Sequence, residues 1–381
     1  MLIEEHVALA RFADLARSAG ALALDVEGDG LFRYRARLCT VQISTGADFA
    51  VVDTLALDLR EALGELLSER GPEKILHDAA FDARLLRDVG VVLGRVYDTA
   101  VAARMLGEKS TGLAALVASR FGLVVSKDQQ QADWGARPLG QDALGYLLDD
   151  VRHLHALADR LREEARALGV EEEIAEECDY VLMRAAQDRP PEPPPWTRIK
   201  KVMELGPAGR AAVRELALVR EDAAKRLDVP PFKVIGNETL VAIARKRPRS
   251  PGELASIPGA LSGRARAVTG DLLAALRRAA SSEDAPEEEL ALMRPPPPVP
   301  AERAARRTRD RALSEWRKKT AAERGVDPQV VLPGHCLNDI ADADPQDPDA
   351  LGRTAGLGQF RVARYGDAIL SALAAARGAA A

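Results

Sequence analysis

The pattern of apolar and polar positions divides the chain before any motif is considered. At the start, "MLIEEHVALARFADLARSAG" places apolar residues at helical spacing, which predicts an amphipathic helix and not a secretory leader. Three β-rich runs follow, "ALALDVE" at 21–27, "LCTVQIS" at 38–44 and a third at 48–53. The gaps between them are short, so an antiparallel meander is expected. Helical periodicity then takes over at about 58–68, 79–89, 99–107 and 112–121, interrupted by one strand, "KILH", at 74–77. A last long helix is predicted over about 140–167. Three strands followed by strand–helix alternation imply a mixed α/β sheet covered by helices.

Beyond residue 185 the pattern is almost wholly helical. Two proline-rich segments, "DRPPEPPPW" at 188–196 and "RPPPPVP" at 294–300, read as semi-rigid spacers. They delimit blocks at 1–185, 190–285 and 300–381. The second and third blocks are related. "VPPFKVIGNETLVAIARKRPRSPGELASIPG" from Val229 aligns without a gap with "VDPQVVLPGHCLNDIADADPQDPDALGRTAG" from Val326. This is an internal duplication of a small helical module. Each copy contains a glycine-turned hairpin followed by arginines, "SIPGALSGRARA" and "TAGLGQFRVARY". Backbone amides at such a turn either meet a phosphate or belong to a plain helix–turn–helix packing unit.

Composition changes this picture only slightly. The 381 residues suit two to three domains, and 47% hydrophobic content gives each a real core. Aromatics are only 4%, so the cores must be mostly Leu, Val and Ala. No apolar run reaches the roughly 18 residues of a membrane span. The three cysteines, Cys39, Cys178 and Cys336, lie far apart, which argues against a disulfide framework or zinc site and for a cytoplasmic setting. The net charge of −5 weighs only weakly against nucleic acid, because its sign varies along the chain. Residues 303–319 are strongly basic, while 171–179 and 281–289 are strongly acidic.

The candidate chemistry begins with Asp25 and Glu27. Two apart on a strand, their side chains share a face. Such a pair either is solvated at a strand end or shares a cation. "KILHDAAFDARLL" (74–86) ends a strand at His77 and places Asp82 one turn into the next helix. Asp78 is positioned to cap that helix through its own side chain. On the last helix, Tyr146 and Asp150 in "YLLDD" are four apart and share a face, with Asp149 a step round and more solvated.

The order Asp-x-Glu, His-x4-Asp, Tyr-x3-Asp resembles the DEDD exonucleases in their tyrosine (DEDDy) form, the ribonuclease D family. "KILHDAAFD", "YDTAVAARML", "DWGARPL" and "YLLDDVRHLHAL" follow its segments in order, and the duplicated modules resemble HRDC domains. The resemblance covers nearly the whole chain. It implies an RNase H-like mixed-sheet exonuclease domain (1–185) followed by two all-α HRDC-like domains (190–285 and 300–381). It implies a 3′-to-5′ exoribonuclease that trims RNA 3′ ends such as those of tRNA precursors, working as a monomer with two divalent cations, Mg²⁺ or Mn²⁺. Hard ions of this kind want oxygen ligands. Asp25 would bridge the cations, Glu27 and Asp150 would hold the first and Asp82 the second, and Tyr146 would orient the attacking water. A DNA 3′-to-5′ exonuclease and a catalytically silent RNA-binding scaffold are the alternatives.

Substrate contacts are less defined. His77 either touches the terminal nucleotide or is simply packed. Arg33, in "FRYRAR", either grips phosphate or sits on a solvated hairpin. Trp134 and Arg137 either line the RNA path or pin their loop to the core. Trp316 is expected to anchor the last module. Two features depart from the family pattern. Gly28 stands directly after Asp-x-Glu, where some members carry an aromatic, and Asp29 would face the same side as the acids if the strand continued. In the second module "DADPQDPD" replaces "RKRPRSP", so the first is the expected electrostatic partner for RNA.

Overall fold

The structure, a computed structural model, describes residues 1–126, 128–188, 190–294 and 299–380, with residues 379 and 380 described by backbone alone. Residue 189 of the first proline segment and residues 295–298 of the second lie outside the described residues. The chain forms two compact units. One comprises Met1–Gly28, Leu38–Gln187 and Pro298–Ala381, the other Asp29–Arg37 and Asp188–Pro297.

The first unit is built on a six-stranded sheet of β1 (Leu2–Ile3), β2 (Ala21–Gly28), β3 (Leu38–Ser44), β4 (Phe49–Asp53), β5 (Glu73–Leu76) and β6 (Val96–Asp98), in the order β1-β4-β3-β2-β5-β6. Strands β2, β3 and β4 form the expected antiparallel meander, while β1, β5 and β6 add in parallel. Strands β1 and β6 are two and three residues long, too short to show alternation in the sequence. The helices of this part are α1 (His6–Ala16), α2 (Arg60–Leu67), α3 (Ala79–Asp88), α4 (Thr99–Met105), α5 (Leu113–Phe121), α6 (Gln141–Arg152), α7 (Leu154–Leu168) and α8 (Glu171–Ala186).

Alternation along β2 sorts its residues between two faces. Leu22, Leu24 and Val26 enter a core with Leu9 and Phe12 of α1, Leu63 and Leu66 of α2, and Ala83 and Leu86 of α3. Ala23, Asp25 and Glu27 take the other face. There Val151, Leu154 and Ala158 of α6 and α7 pack against Ala23 and Ile75. Ala23 is fully buried, and its small side chain lets α7 lie close to the sheet. Ala23→Leu would overpack that contact at a cost of about 1–3 kcal/mol. The single helix expected over 140–167 is in fact two, broken at His153 (φ −97°, ψ −7°). The apolar positions Leu147, Val151, Leu154, Ala158 and Leu161 keep helical spacing straight through the break, so periodicity gives no sign of it.

The second unit holds the first helical module, α9 (Pro207–Leu227), α10 (Pro231–Val234), α11 (Asn237–Lys246), α12 (Pro251–Ala255) and α13 (Thr269–Ala279), followed by α14 (Glu287–Met293). Trp196 is buried in its core. Two acids of the run 281–289 are paired locally, Asp284 on Arg210 and Glu289 on Arg214 and Trp196. Residues Asp29–Arg37 pack into this unit. Arg33 pairs with Asp228 at 3.0 Å, Tyr34 hydrogen-bonds Glu221, and Lys233 lies 3.9 Å over the Phe32 ring.

The second helical module, α15 (Pro300–Arg324), α16 (Pro328–Val331), α17 (Gly334–Ala343), α18 (Pro348–Gly352) and α19 (Gln359–Ala380), repeats the first element for element. The repeat extends to detail. Ser250 and Asp347 cap α12 and α18 through the same backbone position. Arg220 and Arg317 each donate Nη1 to a carbonyl at the end of the short helix, Ile235 O and Leu332 O. Trp316 packs edge-on against Tyr365, as an anchor of this core should.

This second module docks on α8, and the acidic run 171–179 is the docking surface. Glu173 pairs with Arg324 at 2.6 Å and Glu177 with His335 at 3.2 Å. Glu176 accepts hydrogen bonds from the Phe360 amide at 2.6 Å and from Arg361 Nη1 at 3.1 Å. Gly358 (φ +76°) must be glycine for this, since a Cβ there would lie 1.9 Å from the Glu176 Cδ. In this copy the hairpin amide therefore meets a carboxylate of the chain itself.

Candidate active site

Strand β2 delivers Asp25 and Glu27 side by side because both belong to its polar face. Their cross-strand partners on β3 are Gln42 and Thr40. Both partners are fully buried, and Gln42 Nε2 donates to Thr40 Oγ1 at 2.7 Å. Helix α6 crosses the same face and brings Tyr146 and Asp150 from one of its sides. Carboxylate oxygens of Asp25, Glu27 and Asp150 all lie within 4.8 Å of one another. Asp149 turns away and pairs with Arg152 at 2.9 Å.

Asp82 arrives from α3. It is 5% exposed, and its Oδ2 is buried with no hydrogen-bond partner among the described residues. Asp82 falls outside the group of three by distance, yet it is electrostatically part of the cluster. Its charge raises the Asp25 carboxyl, and Glu27 raises its own.

Burial is the largest cause of the upward shift in every one of these acids, followed by repulsion from a neighbouring carboxylate. Glu27 is pushed up to about 8, with Asp150 as the repelling neighbour. Asp150 is pushed up to about 7 by burial and then by Asp149, opposed by its hydrogen bond from Tyr146. Asp25 and Asp82 are raised well above the usual carboxylate range. The Tyr146 hydroxyl is raised too, first by burial and then by Asp150, so it stays protonated and donates. Three half-buried acids and the buried Asp82, all resisting ionisation and one with an oxygen that has no partner among the described residues, form a donor set suited to hard divalent cations.

The helix carrying Asp82 is capped differently from the sequence expectation. Asp78 sits at the N-cap in the left-handed region (φ +62°), and its side chain caps nothing. The acceptor is Asp98, at the end of β6, which takes the amides of Asp78 at 3.0 Å and Ala79 at 2.8 Å. Short polar residues tolerate left-handed backbone, which lets the Asp78 amide turn toward Asp98. His77 Nδ1 lies 2.9 Å from Thr99 Oγ1, and burial lowers its pKa.

The other expected contacts are committed elsewhere. Trp134 is 2% exposed and packs beside Tyr146 with ring centroids 5.8 Å apart, so it pins its loop to the core. Arg137 holds both Asp53 oxygens and the carbonyls of Cys39, Trp134 and Ala136. Arg33 is engaged by Asp228 within the second unit. Asp29 does not extend the acidic face, because β2 ends at Gly28 and Asp29 is gripped by Arg37, with Nη2 and Nε at 2.7 and 2.9 Å.

Comparison with known proteins agrees with this geometry. Residues 2–166 match a 3′-5′ exonuclease family model, and residues 210–276 and 308–373 match the HRDC domain. A ribonuclease D from Cronobacter turicensis is 31% identical over 72% of this chain and 74% of its own. The chain belongs to the ribonuclease D family. It is by that membership a 3′-to-5′ exoribonuclease. The Escherichia coli RNase D crystal structure superposes with a TM-score of 0.67 at 25% identity, covering 98% of both chains. A Bifidobacterium adolescentis protein shares the fold at a TM-score of 0.75 and 23% identity, over 98% of this chain and 96% of its own. Among the described residues no helix is long and apolar enough to cross a membrane.

Thr40, Gln42 and Asp98 were not singled out from the sequence. A signal for the first two exists. "LCTVQIS" is buried throughout, yet it carries Thr40, Gln42 and Ser44 at alternate positions. Polar residues with a period of two on a buried strand mark the face that carries the chemistry.

Proposed function

We propose that this ribonuclease D-family chain shortens structured RNA, tRNA precursors among them, from the 3′ end by metal-assisted hydrolysis. The E. coli relative is described as an exoribonuclease involved in structured RNA processing. The observation that carries the reading is the convergence of Asp25, Glu27 and Asp150 within 4.8 Å, together with an Asp82 oxygen that has no hydrogen-bond partner among the described residues. These four carboxylates would hold Mg²⁺ or Mn²⁺, which when bound activates water and stabilises the leaving oxygen. Asp25, central on β2 and raised by all three other acids, suits the shared position between two ions. Tyr146, kept protonated, orients the nucleophilic water through its hydroxyl while accepting no proton. His77, at the mouth of α3, stays neutral and offers a ring nitrogen to the terminal nucleotide.

In this reading residues 1–185 form the exonuclease domain, and 190–285 and 300–381 the two HRDC-like domains. The chain works as a monomer in the cytoplasm. The test is a labelled RNA with a single-stranded 3′ end, its DNA counterpart, and a Mn²⁺ titration with products resolved by length. A ladder from the RNA's 3′ end, dependent on the cation, is expected. A blank lane at high enzyme would leave the scaffold reading standing, and equal degradation of DNA would move the substrate class.

A further inference from the structure

We propose that Asp98 is a positioning residue for this site, a single carboxylate that fastens two helices and thereby aims Asp82. This rests on reading Asp82 as a metal-holding acid.

Asp98 is 1% exposed and lies at the junction of β6 and α4. Its Oδ1 accepts from Ala100 at 2.9 Å and Val101 at 3.2 Å, which caps its own helix. The same Oδ1 accepts from Asp78 at 3.0 Å, and Oδ2 accepts from Ala79 at 2.8 Å. Those amides begin α3, whose native N-cap residue contributes nothing. One side chain therefore serves the first turns of two helices that are distant in sequence. An ionised carboxylate is the best acceptor for helix-start amides, since it also meets the positive end of each helix dipole.

The consequence falls on Asp82, one turn into α3 and without a partner for Oδ2 among the described residues. No hydrogen bond to that oxygen fixes its aim, so its place is set by the helix start. The neighbouring Thr99 extends the fastening. Its Oγ1 donates to Leu76 O at 2.9 Å and meets His77 Nδ1 at 2.9 Å. The Asp98–Thr99 pair thus sets both site residues of the "HDAAFD" segment. A helix end held by one carboxylate is a hinge if that carboxylate is lost, and tenths of an ångström at the first turn displace an acid that must share a cation.

Asp98→Asn separates the two duties. Its amide oxygen still caps α4, while its NH₂ opposes the Ala79 amide donor to donor. Asp98→Ser retains a cap for α4 and leaves α3 without an acceptor, with no repelling group. Calorimetric Mn²⁺ titration of the full chain, metal-dependent turnover and thermal melts are measured for both, beside Asp82→Asn. In both Asp98 variants Mn²⁺ binding should weaken by about tenfold or more, the range seen when outer residues behind metal ligands are removed. Turnover at saturating Mn²⁺ should recover to near the parental value, with KM for RNA unchanged. Folded Asp98 variants that bind Mn²⁺ like the parent, while Asp82→Asn does not, would overturn this inference alone. Parental Mn²⁺ affinity in Asp82→Asn would overturn the site reading beneath it. Global unfolding of both Asp98 variants would also count against the proposal, since the carboxylate would then hold the whole domain.

Discussion

The acidic cluster should make the metal-free protein lose stability as pH rises, and a divalent cation should remove that loss. Asp25, Glu27, Asp82 and Asp150 are all raised by burial and then by neighbouring carboxylates, Asp149 in the case of Asp150 and Asp98 first in the case of Asp82. A carboxyl raised on folding stabilises the fold while it is neutral. That contribution is complete below its unfolded value and is lost as pH climbs through its folded value. For Glu27 the window runs from 4.5 to about 8, and for Asp150 from 3.8 to about 7. At about 1.4 kcal/mol per tenfold change in an ionisation equilibrium, Glu27 alone would account for about 5 kcal/mol. Both acids are partly solvated, which discounts the shifts, so the site together should lose about 3–5 kcal/mol between pH 5 and 8. At about 2–4 °C per kcal/mol for a unit of this size, the melting temperature should fall by about 10 °C.

The assay is a set of melts at pH 5, 6, 7 and 8, with chelator and with Mn²⁺. The interval stops at pH 8 because Lys74, buried and lowered to about 8, begins to favour the fold as pH rises beyond that point. With Mn²⁺ the pH dependence should flatten, since the cation supplies the opposing charge. The double variant Asp25→Asn/Glu27→Gln should be flatter without metal, keeping only the share that Asp82 and Asp150 contribute. A metal-free melting temperature that held steady or rose from pH 5 to 8 would refute the electrostatic picture of the site.

Other outcomes follow from the same geometry. Asp25→Asn or Asp150→Asn should abolish hydrolysis without lowering the metal-free melting temperature, and either variant retaining near-normal turnover would break the assignment. Tyr146→Phe should slow turnover by about 10²-fold, the usual reach of proton-handling groups, while calorimetry finds Mn²⁺ binding intact. RNA affinity should fall linearly with log salt as phosphate contacts release counterions, whereas a flat profile would argue against basic contacts. Glu176→Ala strips the acceptor from the Phe360 amide and from buried Arg361, so it should cost about 3–5 kcal/mol, read as earlier hydrogen exchange in the second module.

The meander, the duplication and the acids were legible because each rests on local periodicity or spacing. Asp25 and Glu27 share a face by strand geometry, and Tyr146 and Asp150 by helix geometry, wherever those elements pack. What the sequence hid was long-range. The cap on α3 comes from Asp98, twenty residues downstream of Asp78, and no local rule connects them. Trp134 and Arg137 are residue types that suit RNA, yet their partners Tyr146, Asp53 and Cys39 come from distant segments. Asp29 looked like a continuation of the acidic strand. The register shift between Glu27 and Gly28 and the Arg37 fork, both set by tertiary packing, decided otherwise.

The duplicated modules show why net charge was a poor guide to partners. Both copies keep a left-handed glycine in the hairpin (Gly259 and Gly356), an arginine of the long helix bonded to the end of the short helix, and a capped short helix, but their hairpins diverge beyond that turn, with Gly358 left-handed in the second copy and Gly263 in the first. In the second copy the Phe360 amide is taken by Glu176, a carboxylate of the chain itself, with Arg361 fully buried behind it. The aligned arginine of the first copy, Arg264, is exposed. Three of the six acids of 171–179, Glu173, Glu177 and Glu176, are engaged by Arg324, His335 and Arg361 of the same chain. An acid paired inside the fold contributes little field at the surface. Each such ion pair removes one charge of either sign and leaves the total of −5 as it is, so what RNA meets is the distribution of the unpaired charge and not the sum.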